Sequence, residues 1–213
     1  ALRRFKRFEE GYNINYSRIM EAPHGTFVNE AAEPLARLGY EATLYTPSQF
    51  ISQNREQGYH ASFGSCSVDG LPFGLCAIPR LVMSEDWRSE ISIAAFLRQP
   101  IVLACHHQDF FEGLDLLSEF VSYINQLGNV QWSNLSEIAK TQYIAKKEGE
   151  TWIAKLGARR VECHVPLGVK EVIIHRPWVQ DTEELLILKD ISGKHESVPL
   201  MAREKTSAIP WNS

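Results

Sequence analysis

The sequence predicts an α/β fold made of strand–helix units, closed by a small antiparallel β segment. Three observations predict it. Strand and helix patterns alternate over the first two-thirds of the chain, the apolar period changes to two after Glu150, and 44% of the 213 residues are hydrophobic, enough for a sizeable core. The division falls at residues 1–147 for the α/β region and 148–213 for a β-sandwich-like extension. There is no internal repeat and no low-complexity tract.

Each element has its own signal. ALRRFKRF gathers basic residues at the start and reads as a solvated helix face. SRIMEA reads as a short strand ending at Pro23. Val28, Ala31, Ala32, Leu35 and Leu38 then share one helical face, with Gly39 as the stop. Pro34 inside that pattern predicts a kink or a late start. YEATLYTP is the next strand, and residues 48–57 form a weaker helix. Residues 58–87 lose periodicity and read as one long loop of the functional kind. Regularity returns with a helix at Arg88–Leu97, and PIVLAC follows as a buried strand.

Phe110, Leu114, Leu117, Phe120, Val121, Ile124 and Leu127 mark the clearest helix, which Gly128 ends. VQW reads as a short strand with Trp132 in the core. Ser133 caps a helix over NLSEIAKTQYIAKK. Beyond it, TWIAKL, RRVECHV, EVIIHRPW and EELLILK read as antiparallel strands. Trp152, Val161, Val165, Ile173 and Leu186 should point to one interior.

Charge and cysteine usage exclude several classes. The formal net charge of -4 gives no nucleic-acid footprint. The apolar runs are far too short to span a bilayer, and no signal peptide is read. The chain starts in mid-helix pattern without a Met, which predicts processing or truncation upstream. Cys66, Cys76, Cys105 and Cys163 form no CxxC pair, so neither a structural zinc site nor a disulfide framework is expected, although one disulfide stays open. Cys105 reads as a buried thiol. A reducing, cytoplasmic setting fits best.

Chemistry gathers at two predicted strand ends, the edge where α/β folds collect their sites. One is Ala22-Pro23-His24-Gly25-Thr26. The other is Cys105-His106-His107-Gln108-Asp109-Phe110. The segment IMEAPHGTFVNEAAEPLARLGYEATLY joins a strand to a Pro-x-Gly turn, a helix and a second strand. PIVLACHHQDFFEGLDLLSEFVSYINQLGNVQWSNLSEI joins a strand ending in His to a helix, a strand and a Trp-Ser before the next helix. In this order and spacing, residues 1–145 resemble the later half of the polysaccharide deacetylases, the NodB-homology or chitin-deacetylase-like group.

The resemblance implies the C-terminal portion of a (β/α) deacetylase-type barrel, an incomplete barrel in this chain. It implies hydrolysis of an acetyl group from a carbohydrate. In the intact protein, zinc or another divalent metal would polarise the acetyl carbonyl. His106 matches the late histidine that protonates the leaving group. Pro23 and Gly25 match the turn that shapes the substrate groove.

Several residues carry two readings. Asp109 is either part of the catalytic set or the head of a D-x-x-E capping box on the long helix. His24 either touches substrate or satisfies loop backbone. Trp87 either stacks on a sugar or packs inside its loop. His107 reads as a packed histidine, and His60, His164, His175 and His195 as structural.

The chain also departs from the pattern. The family's Asp-Asp and His-x-x-x-His metal motifs are not found, so this chain is not expected to complete a metal site. Glu21 stands where the family carries Arg. The alternative function is a non-catalytic module on the same scaffold that binds a glycan or a protein. A missing N-terminal segment, or another chain, is expected to cover the open core.

Overall fold

The computed structural model describes residues 2–14, 16–57, 64–178, 184–190, 193, 195–200 and 206–211. It is a mixed α/β fold in which the described residues form six α-helices and several sheets.

The first sheet has the order β1-β2-β4-β3, from Ile19–Glu21 (β1), Ala42–Tyr45 (β2), Asp69–Gly70 (β3) and Cys76–Pro79 (β4). β1, β2 and β4 are parallel, and β3 runs antiparallel to β4. Arg80 alone separates β4 from Leu81–Val82 (β5), which pairs in parallel with Leu103–Ala104 (β6). Four adjacent stretches, β1, β2, β4–β5 and β6, therefore run the same way.

The helices fall between these strands. α1 is Leu2–Tyr12, α2 is Ala32–Arg37 and α3 is Pro47–Gln53. α4 is Trp87–Phe96, α5 is Asp115–Gln126 and α6 is Leu135–Lys140. α2 begins late, after a 3-10 turn at Asn29–Ala31, so Pro34 sits in the first turn, where its missing N–H costs nothing. The long loop expected at 58–87 is corrected in its second half. There β4 is buried along its whole length, an apolar CAIP run between Gly74 and Arg80.

The buried middle strands organise the core. On one side Tyr45 and Ala77 pack with Phe27, Phe50, Leu71 and Leu75. On the other, Ala42, Leu44, Cys76 and Ile78 join Trp152, Leu156 and Trp178 of the C-terminal region in one apolar cluster. Burial raises the pKa of the Cys76 thiol well above its usual range, which keeps it neutral. A third cluster holds α4 to α5, where Trp87 meets Phe120 with ring centroids 4.2 Å apart. The apolar face read for α5 is narrower than expected. Phe120 and Ile124 are buried, while Leu114, Leu117 and Leu127 are exposed. α5 itself begins at Asp115 rather than near Phe110.

The β region starts earlier than its pattern suggested. α6 ends at Lys140, where Thr141 Oγ1 and Gln142 Nε2 both donate to the Ile138 carbonyl. The helix expected through Lys147 gives way to β7, Tyr143–Glu148, so the boundary placed at 147/148 falls inside a strand. β8 is Thr151–Leu156, β9 is Glu162–Val165 and β10 is Glu171–His175. β11 is Glu184–Asp190, β12 is His195–Leu200 and β13 is Thr206–Pro210.

These strands build two sheets, β13-β10-β8-β7 and β12-β11-β9. Their pairing corrects the purely antiparallel expectation, because β8 pairs β10 and β9 pairs β11 in parallel. The chain crosses from one sheet to the other after β8, β9 and β10, so strands two apart become neighbours. Trp152, Val161 and Val165 are buried as expected. Ile173 is corrected by one residue, since Val172 and Ile174 carry the inward side chains of β10. The side chain of Leu186 lies outside the described residues, as do His60 and the side chain of His195.

One carboxylate in this frame is held against its preference. Asp69 accepts the Tyr45 hydroxyl at 3.3 Å and the Gly64 N–H at 2.8 Å. Burial nevertheless raises its pKa above the usual aspartate value. Desolvation beside Asp69 likewise raises the Tyr45 phenol. A carboxyl with a raised folded-state pKa binds protons more tightly folded than unfolded. Its ionisation therefore removes stability as pH rises from the ordinary aspartate value through the raised one. Asp69→Asn keeps an acceptor and should flatten that decline. Urea titrations between pH 4 and 7 would show it as a smaller loss of stability than in the parent, and an unchanged slope would refute the assignment.

Candidate active site

The parallel strands aim their C-terminal ends at one edge. β1 leads from Glu21 into the 3-10 turn Pro23–Gly25, and β6 leads from Ala104 through Cys105 to His106. Between them β2 leads into Thr46, and Arg80 joins β4 to β5. Backbone bonds knit these ends together. Thr46 N–H donates to Gly25 O at 3.2 Å, and Arg80 N–H donates to Tyr45 O at 2.9 Å.

The Pro23–Gly25 turn is unusual at two positions. His24 is exposed and adopts φ 56°, a left-handed conformation for a residue with a Cβ. Gly25 is buried with φ 68°. A Cβ there would collide with Thr46 Oγ1 and stand 2.6 Å from Arg80 Nη2, so only glycine fits. The chain beyond the turn is anchored by Asn54, which is wholly buried. Asn54 Nδ2 donates to the Phe27 and Phe50 carbonyls, each at 2.8 Å, while its Oδ1 accepts the Asn29 N–H at 2.8 Å.

Arg80 occupies the middle of the edge. Its Nε donates to Thr46 Oγ1 at 3.1 Å, and its Nη1 pairs with the carboxylate of Glu21. The Arg80 side chain is only 12% exposed, against 56% for Glu21. Sequence reasoning missed Arg80, Thr46 and Asn54. The one available signal was a charged residue inside the apolar run CAIPRLV.

The residues expected at the site divide as follows. Pro23, His24 and His106 are exposed at the strand ends. Asp109 is joined to His106 through the backbone, its Oδ2 accepting the His106 N–H at 2.6 Å. The capping role is thus corrected in place. Asp109 closes a separate 3-10 turn, His107–Phe110, from within, and does not head the long helix. Trp87 is buried as the first residue of α4, under the Arg88 guanidinium at 4.1 Å and edge-on to Tyr123. That is the packing alternative.

Other placements are corrections. Cys105 is exposed, not a core thiol. Trp132 is 57% exposed, its Nε1 donating to Asn125, because residues 130–132 do not join a sheet. His107 is exposed and packs only edge-on against Phe111. His164 and His175 lie exposed on the β region, where the His164 N–H donates to the Tyr143 hydroxyl and His175 Nδ1 lies 3.0 Å from Thr206 Oγ1.

Among the described residues, no three of His, Cys, Asp and Glu are grouped so as to hold a metal ion. His106 and Asp109 lack a third donor, and Asp109 is committed to backbone. The donor set here does not fit a metal. No helix among the described residues is long and apolar enough to cross a membrane. Compared with known proteins, the chain matches no protein-family model, no curated protein and no solved structure.

The Gly25 geometry yields a sharp expectation. Gly25→Ala should destabilise the protein by about 2 kcal/mol or more, from the left-handed backbone and from overlap with its neighbours. Combining it with Arg80→Ala should cost less than the sum of the two changes, because one collision partner is gone. Chemical denaturation of the four variants tests this, and strict additivity would place the strain elsewhere.

Proposed function

We propose that the chain is the later part of a carbohydrate deacetylase of the polysaccharide-deacetylase kind, with its C-terminal β region packed on the catalytic scaffold. One observation supports this above the others. The two loops that resemble the family, Pro23–Gly25 and Cys105–Asp109, leave parallel strands at the same edge. That is where an α/β scaffold presents its chemistry.

In this reading His106 is the general acid. Water adds to the acetyl carbonyl carbon, and the bond from that carbon to the sugar nitrogen or oxygen breaks. His106 gives its proton to the departing atom, which would otherwise leave as a strongly basic anion. Asp109 fixes the backbone at His106 and so positions the imidazole. Pro23, His24 and Gly25 border the sugar groove. The activating metal would be held by polypeptide outside these 213 residues.

The same reading accounts for two open edges. A closed (β/α) barrel of the commonest kind takes about eight strands. Here four parallel stretches leave β1 and β6 each with one side unpaired among the described residues. Exposed apolar side chains lie near both in sequence, Phe5, Phe8 and Tyr12 on α1, and Phe111, Leu114 and Trp132 after β6. Further strands would cover them. All four cysteines are unpaired, which suits a reducing cytoplasmic setting.

In the intact protein, His106→Ala should slow deacetylation by roughly two to four orders of magnitude, with KM little changed. An unchanged rate would refute the acid role. The coding sequence upstream gives a second check. A strand-end Asp-Asp and a His-x-x-x-His would be expected there, and without them the reading passes to a glycan-binding module.

A further inference from the structure

The Glu21–Arg80 pair has an arrangement that stability alone does not explain. Arg80 crosses the end of β2 beneath the Gly25 turn and is almost enclosed, while Glu21 opens outward at the rim. Enclosing a guanidinium costs desolvation, and an ion pair with one exposed partner returns little of it. An apolar side chain at position 80 would fill the same space without that cost. The arrangement has a second oddity, because the turn gives up its Cβ at Gly25 to let the guanidinium through. What it achieves is a carboxylate fixed in place. Glu21 Oε1 is taken by Arg80, and Oε2 meets no hydrogen-bond partner among the described residues.

We propose that Glu21 is a specificity-determining residue at the rim of the sugar groove and that Arg80 is its positioning residue. This rests on the carbohydrate reading above. The pair is neutral overall, but its negative end faces outward and its positive end is enclosed. A fixed carboxylate oxygen accepts hydrogen bonds from sugar hydroxyls and from an ammonium group, and it repels a carboxylate. The rim therefore favours glycans bearing free amino groups and disfavours uronic acids. A lone exposed arginine at this place would have the opposite preference.

Calorimetric titration of the intact protein with three probes tests the inference: a glucosamine hexamer, its fully N-acetylated counterpart and an oligogalacturonate. The glucosamine hexamer, measured below the pKa of its amines, should bind tighter than the other two. Glu21→Gln should weaken it about tenfold and leave the N-acetylated hexamer unchanged. Arg80→Gln should erase the same preference, and Arg80→Lys should restore part of it, an outcome that loss of packing alone would not give. If the parent binds these glycans and Glu21→Gln keeps the amino-sugar preference, the inference fails while the carbohydrate reading stands. If the parent binds none of the three, the carbohydrate reading fails and the inference with it. Matching thermal transitions in parent and variants would separate both results from unfolding.

Discussion

Burial of β2 and β4 on both faces is the constraint from which the rest follows. All four residues of each strand are buried, and neither strand can be satisfied by one layer alone. α2, α3 and the Leu71–Leu75 loop cover one face. The other shares its apolar cluster with Trp152, Leu156 and Trp178. The C-terminal β region is thus part of the sheet's own core. Contacts at the junction reinforce this. Arg159 donates to the Ala36 carbonyl, Arg160 pairs with Glu41, and a Cβ at Gly74 would lie 2.7 Å from the Arg159 side chain. With the middle strands fixed, the strand ends are fixed as well, and with them the turn at Pro23, Thr46, Arg80 and the approach to His106.

Polar anchoring completes what burial begins. Asn54 is enclosed without orphaned groups because two carbonyls and one N–H converge on its amide. The Gly25 turn packs on a guanidinium instead of on an apolar side chain. The strand ends are thus anchored by buried polar contacts close to the sheet, while His24 and His106 stay exposed.

Much of the α/β part was legible because its signals are local. SRIMEA, YEATLYTP and the late start at Pro34 depend on periodicity and on one proline, and each appears where the sequence puts it. β4 was not legible, since a short apolar run surrounded by Gly, Pro and Ser looks like a loop until a neighbouring strand pairs with it. Trp132 and Cys105 were misread for a related reason. Residues beside an unpaired sheet edge lack the cover that their apolar character seems to promise. At the candidate site, the placement of His106 and the Pro23 turn at strand ends was legible. Arg80 could not, because its partners Glu21 and Thr46 are 59 and 34 residues away in sequence. The parallel pairing of β8 with β10 was hidden in the same way, for a period of two fixes which face a residue takes but not which strand lies beside it.

The crossing of the chain between two sheets has a temporal consequence. A hairpin can form as soon as its second strand exists, but β10 draws its neighbours from β8, laid down earlier, and from β13, at residues 206–210. Trp211, just beyond β13, is buried in the same core. During synthesis this β region must wait, incomplete, until residues 206–211 have left the ribosome. Its assembly is then governed by distant closures, which form slowly. Termination between β10 and Trp211 would leave a strand edge and an indole-sized gap open, and the nascent product would be exposed to chaperones and proteases.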